Sequence, residues 1–291
     1  MSKLKLVLLC FLLTNCGGKS VSQPTVLSNA ENYSNEAMQA YANENWMRAQ
    51  KLFNYVLKLN KSIDNRKGVL TGHINLVEVA LAIHDEELAQ QHLIKAEKIV
   101  EIEGLTNYQA RITLLNALLA MEQKKNVKAS QFLQAILPSF DEALLTVKQN
   151  DIQLAAIICQ TKIAFETKEN EALWVLRYRD ALKKEENINS KLDAQLLRFQ
   201  AKLSLQQGKE DESVAHLKQA LLLYKGRYSR SGIAATLLEL GMFYQQQNSW
   251  VIALDFFKRS RNVFKSLGNT EKVNEITTRL AKIEAGITHH L

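Results

Sequence analysis

A small side chain returns about every forty residues through most of this chain, and that recurrence limits what it can fold into. The series runs Ala37, Val77, Ala117, Gln160, Ala201 and Gly241, with steps of 40, 40, 43, 41 and 40. A second series, Ala49, Ala89, Ala129, Ala172, Ser213 and Ala253, keeps the same steps. A third follows four residues behind it with large apolar groups: Phe53, Leu93, Leu133, Leu176, Leu217 and Phe257. Small residues are needed where two backbones approach, and large ones fill the wedge between elements that diverge. The fullest instance is Leu237–Phe257. Leu237, Leu240, Gly241 and Tyr244 share one helical face, and so do Trp250, Ala253 and Phe257. Asn248-Ser249 between them has turn and N-cap chemistry. The stretch reads as two antiparallel helices in contact.

Leu237-x2-Leu240-Gly241-x2-Tyr244, followed by Trp250-x2-Ala253-x3-Phe257, resembles a tetratricopeptide repeat (TPR). Six such units span roughly residues 30–267. The resemblance implies an all-α, right-handed α-solenoid of six TPR-like helix hairpins. The family's usual period is about 34 residues, and here it is near 40. The closing proline of the family pattern is missing, since the only prolines are Pro24 and Pro138. Without it the second helix of each unit is expected to run about a turn further. Repeat four, with its 43-residue step and Gln160 at the small position, is expected to hold a kink or a longer loop. Beyond Gly268, with Thr270 as cap, Val273, Ile276, Leu280 and Ile283 form one apolar stripe on a helix suited to cover the open end of the array.

Composition agrees with helices and short turns: 46% of residues are apolar, with 11 glycines and two prolines. The formal charge of +7 includes Lys3 and Lys5 at the extreme N-terminus and falls short of a nucleic-acid footprint, so no nucleic-acid partner is expected.

Those two lysines precede an apolar run, residues 6–13, too short to cross a bilayer as a helix, which reads as a secretory signal. Leu13-Thr14-Asn15-Cys16-Gly17 is similar to a bacterial lipobox. The similarity implies lipidation at Cys16, an anchor made effectively permanent by several acyl chains, and an address at the envelope facing the periplasm, on the outer membrane given Gly17. An ordinary cleaved leader is the alternative. The division expected is a leader over 1–15, the lipidated cysteine and a flexible tether over 16–29, and a helical domain over 30–288, with Asn29 as cap of its first helix.

Motifs for catalysis are lacking. Cys10, Cys16 and Cys159 are the only cysteines, and Cys159 reads as a small buried apolar residue. The six histidines fall in no metal-ligand spacing, and no phosphate-binding glycine loop or nucleophile elbow is present. Asp85-Glu86-Glu87 and Glu210-Asp211-Glu212 sit where helices begin and complement the helix dipole there. Neither enzymatic activity nor a cofactor is expected.

By the family resemblance, the first helices of successive units line a groove for a protein or peptide. The lining positions include Tyr41, Glu78, Arg111, Met121, Arg198, Lys202, Met242 and Gln245, with Met38, Ile74 and Leu114 beside them. Arg198 and Lys202 share a face and, with Arg111, could meet an acidic peptide or a chain-terminal carboxylate; the plainer alternative is two solvated helix residues. The asparagines of the family's carboxylate clamp are not found. Lys225, Arg227 and Arg230, with Tyr228 among them, form a second basic cluster in a long connection, suited to anionic lipid or simply solvated. Trp174 and Tyr178 are expected to pack the next repeat. The function expected is a membrane-anchored envelope scaffold that assists assembly or secretion, the alternative being a peptide-responsive regulator.

Overall fold

The computed structural model describes residues 25–137, 151–183 and 190–288. Among them are thirteen α-helices and no strand. We number them α1 (Thr25–Ala42), α2 (Trp46–Ser62), α3 (Arg66–Ala82), α4 (Glu86–Ile102), α5 (Gln109–Glu122), α6 (Asn126–Ile136), α7 (Asp151–Thr167), α8 (Glu171–Lys183), α9 (Ser190–Gln206), α10 (Glu210–Gly226), α11 (Arg230–Gln246), α12 (Trp250–Ser266) and α13 (Thr270–Thr288). Each packs on its chain neighbours, so the protein is a series of antiparallel helix pairs. The expected leader, the lipidated Cys16 and Pro138 lie outside the described residues.

The forty-residue period has a simple origin. Helices α2, α3, α4, α10, α11 and α12 are all 17 residues long, and three-residue turns join them. In the pairs α3–α4, α9–α10 and α11–α12 the two helices are equally long, and in no described unit is the second the longer, so the period does not come from a second helix outrunning the first. The middle residue of each of these turns has positive φ. It falls every 20 residues at Glu44, Asp64, His84, Gly104 and Lys124, and again at Gly208, Tyr228, Asn248 and Gly268. Between Lys124 and Gly208 the beat has gained four residues. The helices before these turns close with a bond from the last turn residue back five positions, as in Asn45 N to Ala40 O (2.8 Å), Asp85 N to Ala80 O (2.9 Å) and Ser249 N to Tyr244 O (2.9 Å). This is the Schellman arrangement, which requires the left-handed residue. The last turn residue then caps the next helix: Asn45, Asn65, Asp85 and Asn269 accept from the backbone N–H three residues on.

The recurrent small residues lie where the helices touch. Ala37, Val77, Ala117, Ala49, Ala89, Ala129 and Ala253 have no exposed surface, and Phe53, Leu93, Leu133 and Phe257 are buried against them. A Cβ on Gly241 would sit 2.7 Å from ring atoms of Phe257. Repeat four departs from the expected alignment. Ala172 is exposed and Leu176 is 40% exposed, whereas Trp174, Val175, Tyr178 and Ala181 are buried. The residue equivalent to Gly241 is Thr161, fully buried, whose hydroxyl lies 3.4 Å from the Trp174 carbonyl. With Thr161 in place of Gln160 the steps become 40, 40, 44, 40 and 40. Tyr178 packs on Phe199 of α9, so this unit does seat the next one.

Other expectations at the ends need correction. Helix α1 begins at Thr25, inside the stretch read as tether, and Asn29 lies within it rather than capping it. Asn269, not Thr270, caps α13. Ile276, Leu280 and Ile283 of α13 are buried against Phe257 and Phe264. No long connection precedes the sixth pair: α10 reaches Gly226, and Arg230 already opens α11.

The series also meets itself. Glu44, only 4% exposed, accepts from Ser229 Oγ (3.1 Å), Ser231 Oγ (2.7 Å) and Ser231 N (2.8 Å). Arg230 donates to the carbonyls of Asn43 (3.2 Å) and Glu44 (2.6 Å). One unit further on, His84 lies 3.0 Å from Asn269. Both contacts join residues 185 apart. In both, the left-handed residue of an early turn reaches the N-cap residue of a late helix. A carboxylate at the start of α11 is well placed, because the first backbone N–H groups of a helix lack intrahelical partners.

Candidate functional site

The first helices carry two ionic rungs. In the first, Glu78 of α3 pairs with Arg111 of α5, and Tyr41 of α1 lies close enough to feel both charges. Burial raises the Glu78 carboxyl pKa, and Arg111 opposes that rise without cancelling it. Burial, with the Glu78 charge adding, pushes the Tyr41 hydroxyl up to about 12. Tyr41 also meets Trp46 edge-on, with ring centroids 5.1 Å apart.

In the second rung, Arg198 of α9 holds Glu239 of α11 through two bonds, Nε at 2.7 Å and Nη2 at 2.9 Å. Lys202 reaches the same carboxylate at 3.2 Å. Burial works against the Glu239 charge, but Arg198 and Lys202 together hold its pKa below the usual carboxylate value. Arg198 answers in kind: burial disfavours its charge, yet Glu239 and the hydroxyl of buried Tyr224 raise its pKa. A bidentate guanidinium–carboxylate pair fixes both partners' orientation, so the second rung sets the register of α9 against α11.

The structure therefore brings Tyr41, Glu78 and Arg111 together, and likewise Arg198 and Lys202. The cations expected to await an acidic ligand already hold carboxylates of their own chain, and a guest carboxylate would have to displace Glu78 or Glu239. Met242 is exposed, Met121 is half-buried among α5–α7, and Gln245 lies by α13 beside Glu275 and Arg279. Ile74 and Leu114 are core residues, 6% and 1% exposed, and line no groove. Met38 is exposed. Of the second basic cluster, Arg230 is engaged with the turn at Glu44, while Tyr228 is 87% exposed.

Sequence reading missed Glu239, although a signal existed. Many polar pairs join residues about one unit apart: Arg198–Glu239 (41 residues), Asn126–Glu166 (40), His84–Glu122 (38) and Arg66–Glu103 (37). Opposite charges at the repeat period point to these rungs. It also missed a histidine pair between α3 and α4, His73 and His92, both buried, with Nδ1 atoms 2.8 Å apart. One ring donates and the other accepts, so the pair is neutral. Burial lowers the pKa of both, that of His73 to about 4, with Lys61 and Lys95 contributing.

Among the described residues no group of three or more histidine, cysteine or acidic side chains is arranged to hold a metal ion. Burial raises the Cys159 thiol pKa, which disfavours the reactive thiolate. No described helix is long and apolar enough to cross a membrane. No protein-family model matches the chain, and neither does any curated protein.

Proposed function

We propose that the chain is a lipid-anchored scaffold of the bacterial envelope, built as a right-handed α-solenoid of six TPR-like hairpins closed by α13. On this reading it binds a protein or peptide through the face formed by its first helices. The observation that carries the reading is the run of helix pairs whose first helices are tied to one another by side chains, Tyr41–Glu78–Arg111 and Arg198–Lys202–Glu239. Such rungs rigidify an extended face without supplying reactive groups. Because the cations of both rungs already face carboxylates of the chain, the face favours a partner that contributes apolar and hydrogen-bonding surface, with flexible Met38 and Met242 as adaptable contacts. The envelope address rests on the leader and on Cys16.

Photo-crosslinking from position 242 in intact cells, followed by membrane fractionation, tests both parts. The expected result is one dominant protein adduct in the membrane fraction, and release of the Cys16→Ser variant into the soluble periplasmic fraction. Recovery of Cys16→Ser wholly with membranes would refute the anchor. The absence of a protein adduct at position 242 would refute the binding face.

A further inference from the structure

A second site lies away from the first-helix face, where the repeat loses its regular step. Helices α6 and α8 stand apart there, with α7 as the floor, leaving a cleft of about 930 Å³. That is the size of a site for a substantial ligand rather than for a few waters. Two buried side-chain acceptors in its lining have no partner: Asn126 Oδ1 and Gln160 Oε1. The other ends of these amides are engaged: Asn126 Nδ2 donates to Glu166 (2.9 Å), which can only accept, and Gln160 Nε2 lies near Ser130 Oγ (3.2 Å). The Asn126 carboxamide is thus held with its oxygen unsatisfied, and in the observed orientation so is that of Gln160. A buried acceptor without a donor is costly, and a native fold keeps one where something else supplies the hydrogen.

The lining selects the ligand class. Among the described residues its only charged members are Glu169 and Arg177, so these offer no field for a polyanion or a polycation. Trp174 is 6% exposed and the Arg177 guanidinium lies 4.8 Å from its ring centre, so it offers no open face for a sugar. What remains is a track of amides and hydroxyls along α6. Asn126, Ser130 and Gln134 recur every four residues, about 6 Å apart along the helix. An extended polypeptide presents N–H groups on one edge every second residue, about 6.8 Å apart. Carboxamides both donate and accept, as main-chain amides require.

We propose that this cleft binds an uncharged, extended segment of a partner protein by its main chain, with Asn126 Oδ1 and Gln160 Oε1 accepting main-chain N–H groups. The site is independent of the lipid anchor and of the first-helix face. It makes the protein a two-site adaptor, in which one partner is held by side-chain contacts and the other by its backbone.

Random 12-residue peptides displayed on phage and selected on the detergent-solubilised full-length protein provide the probe. Neutral peptides recovered in this way are expected to lose about tenfold in affinity on Gln160→Met, one acceptor's worth, by fluorescence anisotropy. They should weaken likewise on Gln134→Ala and be unaffected by Met242→Ala. N-methylation of alternate amides along one edge should abolish binding, and methylation of the opposite edge should not. Thermal melts of the variants show whether the fold is retained, and the exposed-side Gln134→Ala keeps the test open if Gln160→Met melts early. The proposal is overturned if no selected peptide depends on Gln160 or Gln134, if dependent peptides tolerate N-methylation on both edges, or if the cleft takes an N-acetylglucosamine tetramer instead.

Discussion

Replacing Glu44 tests whether the early and late units are joined as described. Its carboxylate receives three hydrogen bonds, from Ser229 Oγ, Ser231 Oγ and Ser231 N, and lies 3.7 Å from Lys191 Nζ. Hydrogen bonds to a charged group are worth roughly 1.5–3 kcal/mol each, but the two serine hydroxyls can turn to water once the contact opens. The residual penalty falls on the Ser231 N–H and the lost charge at the helix start, giving about 2–4 kcal/mol for Glu44→Ala. Glycine at the same position separates two effects. Glu44 has φ 55°, a conformation that costs a side chain about 1–2 kcal/mol and costs glycine little. Glu44→Gly should therefore strengthen the local turn while still opening the long-range contact. The assay is amide hydrogen exchange at the first turn of α11, with small-angle scattering for overall dimensions. Both variants should speed exchange there by roughly 30- to 1,000-fold, the factor that 2–4 kcal/mol converts to, and should expand the particle. Unchanged protection at Ser231 and unchanged dimensions in both variants would show that the two turns do not hold each other.

Two further outcomes concern the core. Gly241→Leu should cost on the order of 1–3 kcal/mol or more in a urea melt, because Phe257 is fully buried and has nowhere to move; an unchanged midpoint would mean that α11 and α12 do not meet there. The histidine pair should make the protein acid-sensitive. The unfolded chain takes up protons near pH 6.5 and folded His73 only near 4, so its contribution is complete above about pH 6.5 and is lost as pH falls towards 4. At about 1.4 kcal/mol per pH unit the loss reaches roughly 3 kcal/mol for His73 alone. The His73→Leu/His92→Leu double variant should flatten that slope in melts between pH 7 and 4.5, and an identical slope would refute the account.

The small-residue series was readable because backbone contact imposes size directly. Ala37, Ala117 and Gly241 stand where nothing larger fits, and the pattern depends only on local geometry. Repeat four was misread because its step is longer and Trp174 stands at the place where the other units have alanine or serine. Exposed Ala172 and Leu176 then mimicked the pattern two residues early. Arg198 and Lys202 were found, but not their state, since Glu239 comes from the next unit. The junction of Glu44 with Ser229 had no sequence signal of its own. It depends on how much each pair rotates on the last, a quantity set by the sum of many packing contacts.

The 20-residue beat and the 185-residue junction together restrict how such a chain can evolve. Arrays of this sort ordinarily grow or shrink by duplicating whole modules, with little consequence for the modules that remain. Here, gain or loss of one hairpin between His84 and Ser229 would carry Ser229 and Asn269 forty positions out of step with Glu44 and His84 at once. Additions at either terminus would leave both junctions intact, so the number of interior modules is locked while the ends stay open to change.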